Sequence, residues 1–104
     1  MAKYVFAYHG GTVPATPEEG KKMMDAWISW FGTLGAAVLD PGNPCGPSNT
    51  VSGTGVAKNG GANPLSGYSL VEAGSMDAAV AMAKGCPMVK SGTGTVEVAE
   101  LMPM

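Results

Sequence analysis

Lys3-Tyr4-Val5-Phe6-Ala7-Tyr8-His9-Gly10-Gly11 opens the chain, and how this stretch is read decides the fold. Side chains on a strand alternate between two faces, so Tyr4, Phe6 and Tyr8 fall on one and Val5, Ala7 and His9 on the other. Both sets are mostly apolar, the pattern of a central strand covered on both sides. Gly10-Gly11 ends it. Outward from there, Thr16 is placed to cap a helix, Pro17 fits its first turn, and Glu19 completes an S/T-x-x-E capping box. Glu18 and Glu19 also complement the positive end of the helix dipole. Met23, Trp27, Trp30, Phe31 and Leu34 then recur at helical spacing, with Lys21, Lys22, Asp25, Ser29 and Thr33 opposite them. Gly35 is a natural stop, and Ala36–Asp40 reads as a second strand.

The same order returns later. Tyr68–Ala73 reads as a strand, Ser75 caps a helix over Met76–Lys84, and Gly85 with Pro87 stops it. Gly94–Leu101 closes the pattern, with Val96 and Val98 alternating against Glu97 and Ala99. Strand-helix-strand is thus written twice, over Lys3–Asp40 and Gly67–Leu101. This βαββαβ order predicts an α+β, ferredoxin-like fold: a four-stranded antiparallel sheet with two helices on one face. The second face remains apolar and calls for a cover. A second copy of the chain is the expected cover, giving a homodimer built as a dimeric α/β barrel. Between the two strand-helix-strand halves of the chain, residues 41–67 hold seven glycines and four prolines among 27 residues. A structureless loop of that length is improbable in a compact domain. Asn49–Ser52 and Val56–Lys58 flank Gly53-Thr54-Gly55, which predicts a small extra hairpin at about 46–60.

The 104 residues suit one domain, expected to span 1–104. Charged residues make up 13% and hydrophobic ones 45%, so the charged share is about half the usual. So few charges on a small domain point to surface buried by self-association. A net charge of −2 provides no basic field, which argues against nucleic acid and anionic membrane as partners. The apolar run Tyr4–Tyr8 is too short for a signal-peptide core, and no stretch approaches a membrane span. Cys45 and Cys86 show neither CxxC nor zinc spacing and are expected to be reduced thiols of a cytoplasmic protein. One histidine among scattered carboxylates forms no recognisable ligand set, so neither metal nor cofactor is expected.

His9 is the single histidine, placed at a strand end beside two glycines that permit close approach of a ligand. It is the candidate acid/base, and Asp40 at the end of the second strand is its candidate orienting partner. Asp40 before Pro41-Gly42 equally suits a turn in which its carboxylate accepts backbone amides. Trp27, Trp30 and Phe31 put three rings on about one helical turn, first of all a core pattern and also a candidate wall for a flat apolar ligand. Met23, Met24, Met76, Met82 and Met88 suit such a wall. Tyr68 and Glu97 complete the candidate ligand-binding set, in a pocket between the free sheet face and the 41–67 lobe. Ser52-Gly53-Thr54-Gly55 and Ser91-Gly92-Thr93-Gly94 lack the continuation of a phosphate loop and read as turns.

With these motifs placed, the chain resembles the YciI-like (YCII-related) family of small ferredoxin-like proteins. The resemblance rests on Lys3–Gly11, on Trp27 and Trp30 before Leu34-Gly35, and on Asp40-Pro41-Gly42-Asn43-Pro44. Asn63–Tyr68, Asp77-Ala78-Ala79, Gly85-Cys86-Pro87 and Val96–Glu100 extend it over essentially the whole chain. It implies a dimeric α/β barrel with a pocket in each protomer. It also implies an enzyme-like family whose better understood members are lyases or hydrolases of small, often aromatic, molecules acting through a His–Asp pair. In YciI-like proteins proper that histidine lies in the first helix; here Met23, Met24, Asp25 and Trp27 stand there, and the pair is not carried over. The Asp-Gly-Pro-Phe signature of a neighbouring branch is also absent, with Cys45-Gly46-Pro47-Ser48 the nearest stretch. The expected function is therefore small-molecule chemistry of metal-free lyase or hydrolase type, in a pocket near the end of the first strand. The alternative is a non-catalytic, dimeric module that binds a small ligand.

Overall fold

The alternation of Tyr4, Phe6 and Tyr8 sets the architecture of the computed structural model, which describes residues 1–58, 61 and 63–104. These three side chains are buried and the residues between them are only partly so, along strand β1 (Ala2–Gly10). Helix α1 (Pro17–Leu34) follows, then a short 3-10 turn at Gly35–Ala37 and strand β2 (Val38–Asp40). Strands β3 (Asn49–Ser52) and β4 (Gly55–Lys58) form a separate hairpin. Strand β5 (Leu65–Ala73), helix α2 (Met76–Ala83), helix α3 (Pro87–Ser91) and strand β6 (Gly94–Glu100) complete the order. The main sheet runs β2-β5-β1-β6, every pairing antiparallel, as the ferredoxin-like reading requires. Among the described residues the sheet is open, with β2 and β6 at its edges, and does not close into a barrel within the chain.

Both helix starts form as read. Thr16 Oγ1 accepts from the Glu19 amide at 3.1 Å and Ser75 Oγ from the Ala78 amide at 3.1 Å. The Glu19 carboxylate reaches back one residue beyond the usual capping box, to the Ala15 amide at 2.9 Å. The predicted second strand is shortened because its first two residues tighten into the 3-10 turn. Pro87 stops α2 and also opens α3, where a missing N–H costs nothing at the first turn. The extra hairpin forms over Asn49–Lys58, and residues 59 and 60 of the predicted span lie outside the described residues.

The core lies on one side of the sheet only. Phe6 stacks on Trp30 with ring centroids 6.1 Å apart, and Trp27 stands edge-on to Tyr8 at 5.0 Å. Trp30 is 6% exposed and donates its indole N–H to the Met82 carbonyl at 3.1 Å, tying α1 to α2. Tyr8 donates to Ser69 Oγ at 2.8 Å, and Ser69 in turn donates to the Pro41 carbonyl at 2.7 Å. This chain of hydroxyls joins β1, β5 and the turn after β2, satisfying polar groups that burial would otherwise penalise. Gly42, with φ of 71°, presses so closely on β5 that any side chain there would collide with the Tyr68 carbonyl.

Candidate functional site

Two places near the end of β1 hold the residues singled out by the sequence, and they lie on opposite faces of the sheet. On the uncovered face, Val5 and Ala7 of β1 stand beside Leu70 and Tyr68 of β5 and beside Ala99 and Glu97 of β6. His9 follows Ala7 on that face. Its Nε2 lies 3.0 Å from Glu97 Oε1, and its Nδ1 lies 3.1 Å from the Asn63 carbonyl oxygen. A ring held at both nitrogens has a fixed orientation. The His9 side chain is only 12% exposed whereas that of Glu97 is 70% exposed, so the carboxylate stands at the rim.

Asp40 is not the partner of His9 in this structure. Its Oδ1 accepts from the Gly42 amide at 2.8 Å, the turn geometry that Asp before Pro-Gly permits. The carboxylate that reaches His9 is Glu97, because β1 and β6 pair with Ala7 opposite Glu97 and His9 opposite Thr95. Residues two apart on neighbouring strands lie diagonally within reach of long side chains.

On the helix side, Tyr8 faces a cavity of about 880 Å³. The β1–α1 connection forms one wall through Gly10, Gly11 and Val13. Helix α1 contributes Met23, Met24, Trp27 and Phe31, and the α3 segment contributes Pro87, Met88 and Ser91. Residues 41–44, with Ser66 and Gly67, close the remaining side. Rings, thioethers and prolines make the lining mainly apolar, and Thr12, Lys22, Asn43, Ser66, Ser91 and Thr93 add polar side chains. Burial pushes the Tyr8 phenol well above its ordinary value, against the opposing hydrogen bond to Ser69, so it stays a neutral donor.

The expected pocket lay between the free sheet face and the 41–67 lobe, lined by His9, Asp40 and Tyr68 with a tryptophan approaching. The structure opens its large cavity on the helix side instead, and His9, Asp40, Tyr68 and Glu97 do not line it. The reason is the strand period: adjacent residues Tyr8 and His9 point to opposite faces. Of the two tryptophans, Trp27 lines the cavity and Trp30 belongs to the core. Met23, Met24 and Met88 stand in the wall, whereas Met76 and Met82 do not. Residues 12–14, Lys22 and, apart from Met88, the α3 segment are cavity residues that the sequence did not single out. In the sequence Pro87 reads as the stop of α2; proline also suits the first turn of a helix, which is the signal that could have marked α3.

Among the described residues, no group of three or more His, Cys, Asp or Glu side chains is arranged to hold a metal ion. No helix among them is long and apolar enough to cross a membrane. Cys45 is exposed and Cys86 buried, and both are free thiols. Burial raises the Cys86 thiol above its ordinary value despite backbone amides from Met88 and Val89, which leaves it unreactive in the folded chain.

The chain belongs to the YCII-related family: the YCII-related domain matches residues 4–104. Its fold is similar to that of 5-chloro-2-hydroxyhydroquinone dehydrochlorinase from Burkholderia phenoliruptrix AC1100, solved in complex with 2,5-dihydroxybenzoquinone. That likeness has a TM-score of 0.56 at 16% identity and covers 96% of this chain and 95% of the other. No curated protein matches the sequence.

Proposed function

We propose that this YCII-related protein takes a small, flat, mainly apolar molecule into the helix-side cavity that Tyr8 and Trp27 help to line. The observation that carries this reading is the cavity itself. Its volume of about 880 Å³ suits a small organic ligand, and its lining of rings, methionines and prolines is mainly apolar. The dehydrochlorinase of like fold is named for a flat, oxygenated ring compound, which supports the same size and shape of ligand. Isothermal titration with 1-naphthalenemethanol tests the reading. Wild-type protein should bind it, and Ala26→Trp, which fills the cavity from an exposed helix position, should abolish binding with the melting temperature unchanged. Equal binding by both proteins would move the site elsewhere.

A second reading, in which the protein turns over a small molecule held on the other face of the sheet, is favoured by the His9–Glu97 pair. A carboxylate 3.0 Å from an imidazole fixes the ring for metal-free acid/base work of lyase or hydrolase type. His9 faces the uncovered side of the sheet, so this reading goes with a homodimer in which a second copy closes a pocket over that face. Val5, Ala7, Leu70 and Leu101 supply an apolar surface for such packing. Two free cysteines accord with a cytoplasmic setting. Leu70→Glu places a charge in the middle of the face and should raise the dimer dissociation constant at least about 100-fold, roughly 3 kcal/mol. Sedimentation of wild-type protein as a monomer at micromolar concentration would remove the dimer and the pocket that depends on it.

A further inference from the structure

Lys22 is the one charged side chain among the described residues that line the cavity. It stands in the second turn of α1 and is exposed. Every carboxylate of the chain is absent from that lining, although acidic residues outnumber basic ones by 8 to 6 overall. Among the described residues no ion pair holds the Lys22 ammonium. Glu19, three positions before it, is occupied with the Ala15 amide, while Glu18 and Asp25 share its helix without lining the cavity.

From this arrangement, and resting on the cavity reading above, we infer the ligand class: an organic monoanion with an apolar, ring-sized body and one carboxylate or like group. The body packs against Tyr8, Trp27, Phe31 and Met88, and the anionic group stays at the mouth beside Lys22. A charge kept at the mouth avoids the cost of dehydrating it inside an apolar wall. The long lysine stem covers apolar surface while its ammonium remains in water, which matches a charge placed at a rim. The chain's net charge of −2 works weakly against anions at long range. A preference for an anion is therefore a local property of this rim, and it should fade as salt screens it.

The test compares two probes of equal body, 1-naphthoate and the uncharged 1-naphthalenemethanol, by isothermal titration at low and at high salt. Wild-type protein should favour 1-naphthoate by about two- to five-fold at low salt, the range of a solvent-exposed charge pair. Lys22→Gln should bring the two affinities together, and Lys22→Glu should reverse their order. Lys21→Gln, next to it but outside the lining, should leave the preference intact. Equal affinities in wild-type protein, or a preference that survives in Lys22→Gln, overturns the inference while leaving the cavity as the site. Failure of both probes to bind removes the cavity reading, and the inference with it.

Discussion

The two faces of the sheet are made from alternate residues of the same strands, yet they have opposite characters. On the helix side β1 contributes Tyr4, Phe6 and Tyr8, all buried, and β5 contributes Ser69 and Val71 with no exposure at all. On the other side the same strands contribute Val5, Ala7, Tyr68 and Leu70, which remain partly open. Large rings fill the gap between sheet and helices, where a helix axis stands well off the sheet. Val5, Ala7, Leu70 and Ala99 give the other face an apolar strip, bounded by Tyr68 and Glu97. An uncovered apolar strip suits packing against another sheet, whereas the ring-filled side leaves a cavity where the filling stops, beyond Tyr8. The difference teaches that one strand can build the core and the cavity on one side while presenting a separate, His9-bearing surface on the other.

The largest expected effect of breaking this asymmetry is in the core. Phe6→Ala removes a fully buried ring stacked on Trp30 and should cost about 3–5 kcal/mol. Its neighbour Val5, on the opposite face, loses far less surface when cut to alanine, and Val5→Ala should cost about 1 kcal/mol or less. Denaturant midpoints measured for both variants check the ratio. Similar losses would mean that the two faces are covered equally well.

Tyr8 comes next, since it faces the cavity and holds the turn after β2. Tyr8→Phe leaves Ser69 without its donor and should cost about 1–2 kcal/mol near pH 8. The pH dependence sharpens the point. Burial raises the phenol above its ordinary value of 10.0, so folding keeps Tyr8 neutral where the unfolded chain would ionise it. The stabilisation is therefore complete below pH 10 and is lost as pH rises above it, at up to about 1.4 kcal/mol per pH unit for one proton. Phe cannot ionise, so the stability gap between wild-type and Tyr8→Phe should narrow above pH 10. Urea midpoints at pH 8 and pH 10.5 measure it. A gap that stays constant would place the Tyr8 phenol in contact with water.

Much of this was legible in the sequence. The doubled strand-helix-strand order, the Thr16 and Ser75 caps and the extra hairpin rest on local rules, which act within a few residues and leave a signature at fixed spacing. The pairing of His9 with Glu97 is different in kind. It depends on the register between β1 and β6, residues 88 positions apart, and no local pattern sets that register. Asp40 was equally placed to orient His9 or to bind the Gly42 amide, and the nearer partner prevailed. The cavity was hidden for a similar reason. Its walls come from the β1–α1 connection, α1, residues 41–44 and α3, and only the folded chain brings them together.

The smallest expected effect concerns His9 and Glu97, and it bears most directly on the uncovered face. The pair sits at a rim, with the Glu97 carboxylate largely in water, and a pair at such an edge contributes about 0.2–1 kcal/mol. In an isolated protomer, a double-mutant cycle of His9→Gln and Glu97→Gln should therefore give a coupling in that range, weaker at high salt. The corresponding cycle of His9→Gln with Asp40→Asn should give none, since Asp40 bonds the Gly42 amide. Cover over the face changes the expectation. Desolvation strengthens the attraction between the partners and makes a lone buried charge costly, so the coupling should exceed about 2 kcal/mol. Repeating the cycle in Leu70→Glu, where the face can no longer pack, should return the coupling to the weak range. A weak coupling in both backgrounds would mean that His9 works at an open surface. A strong one that Leu70→Glu abolishes would mean that a second copy completes the site.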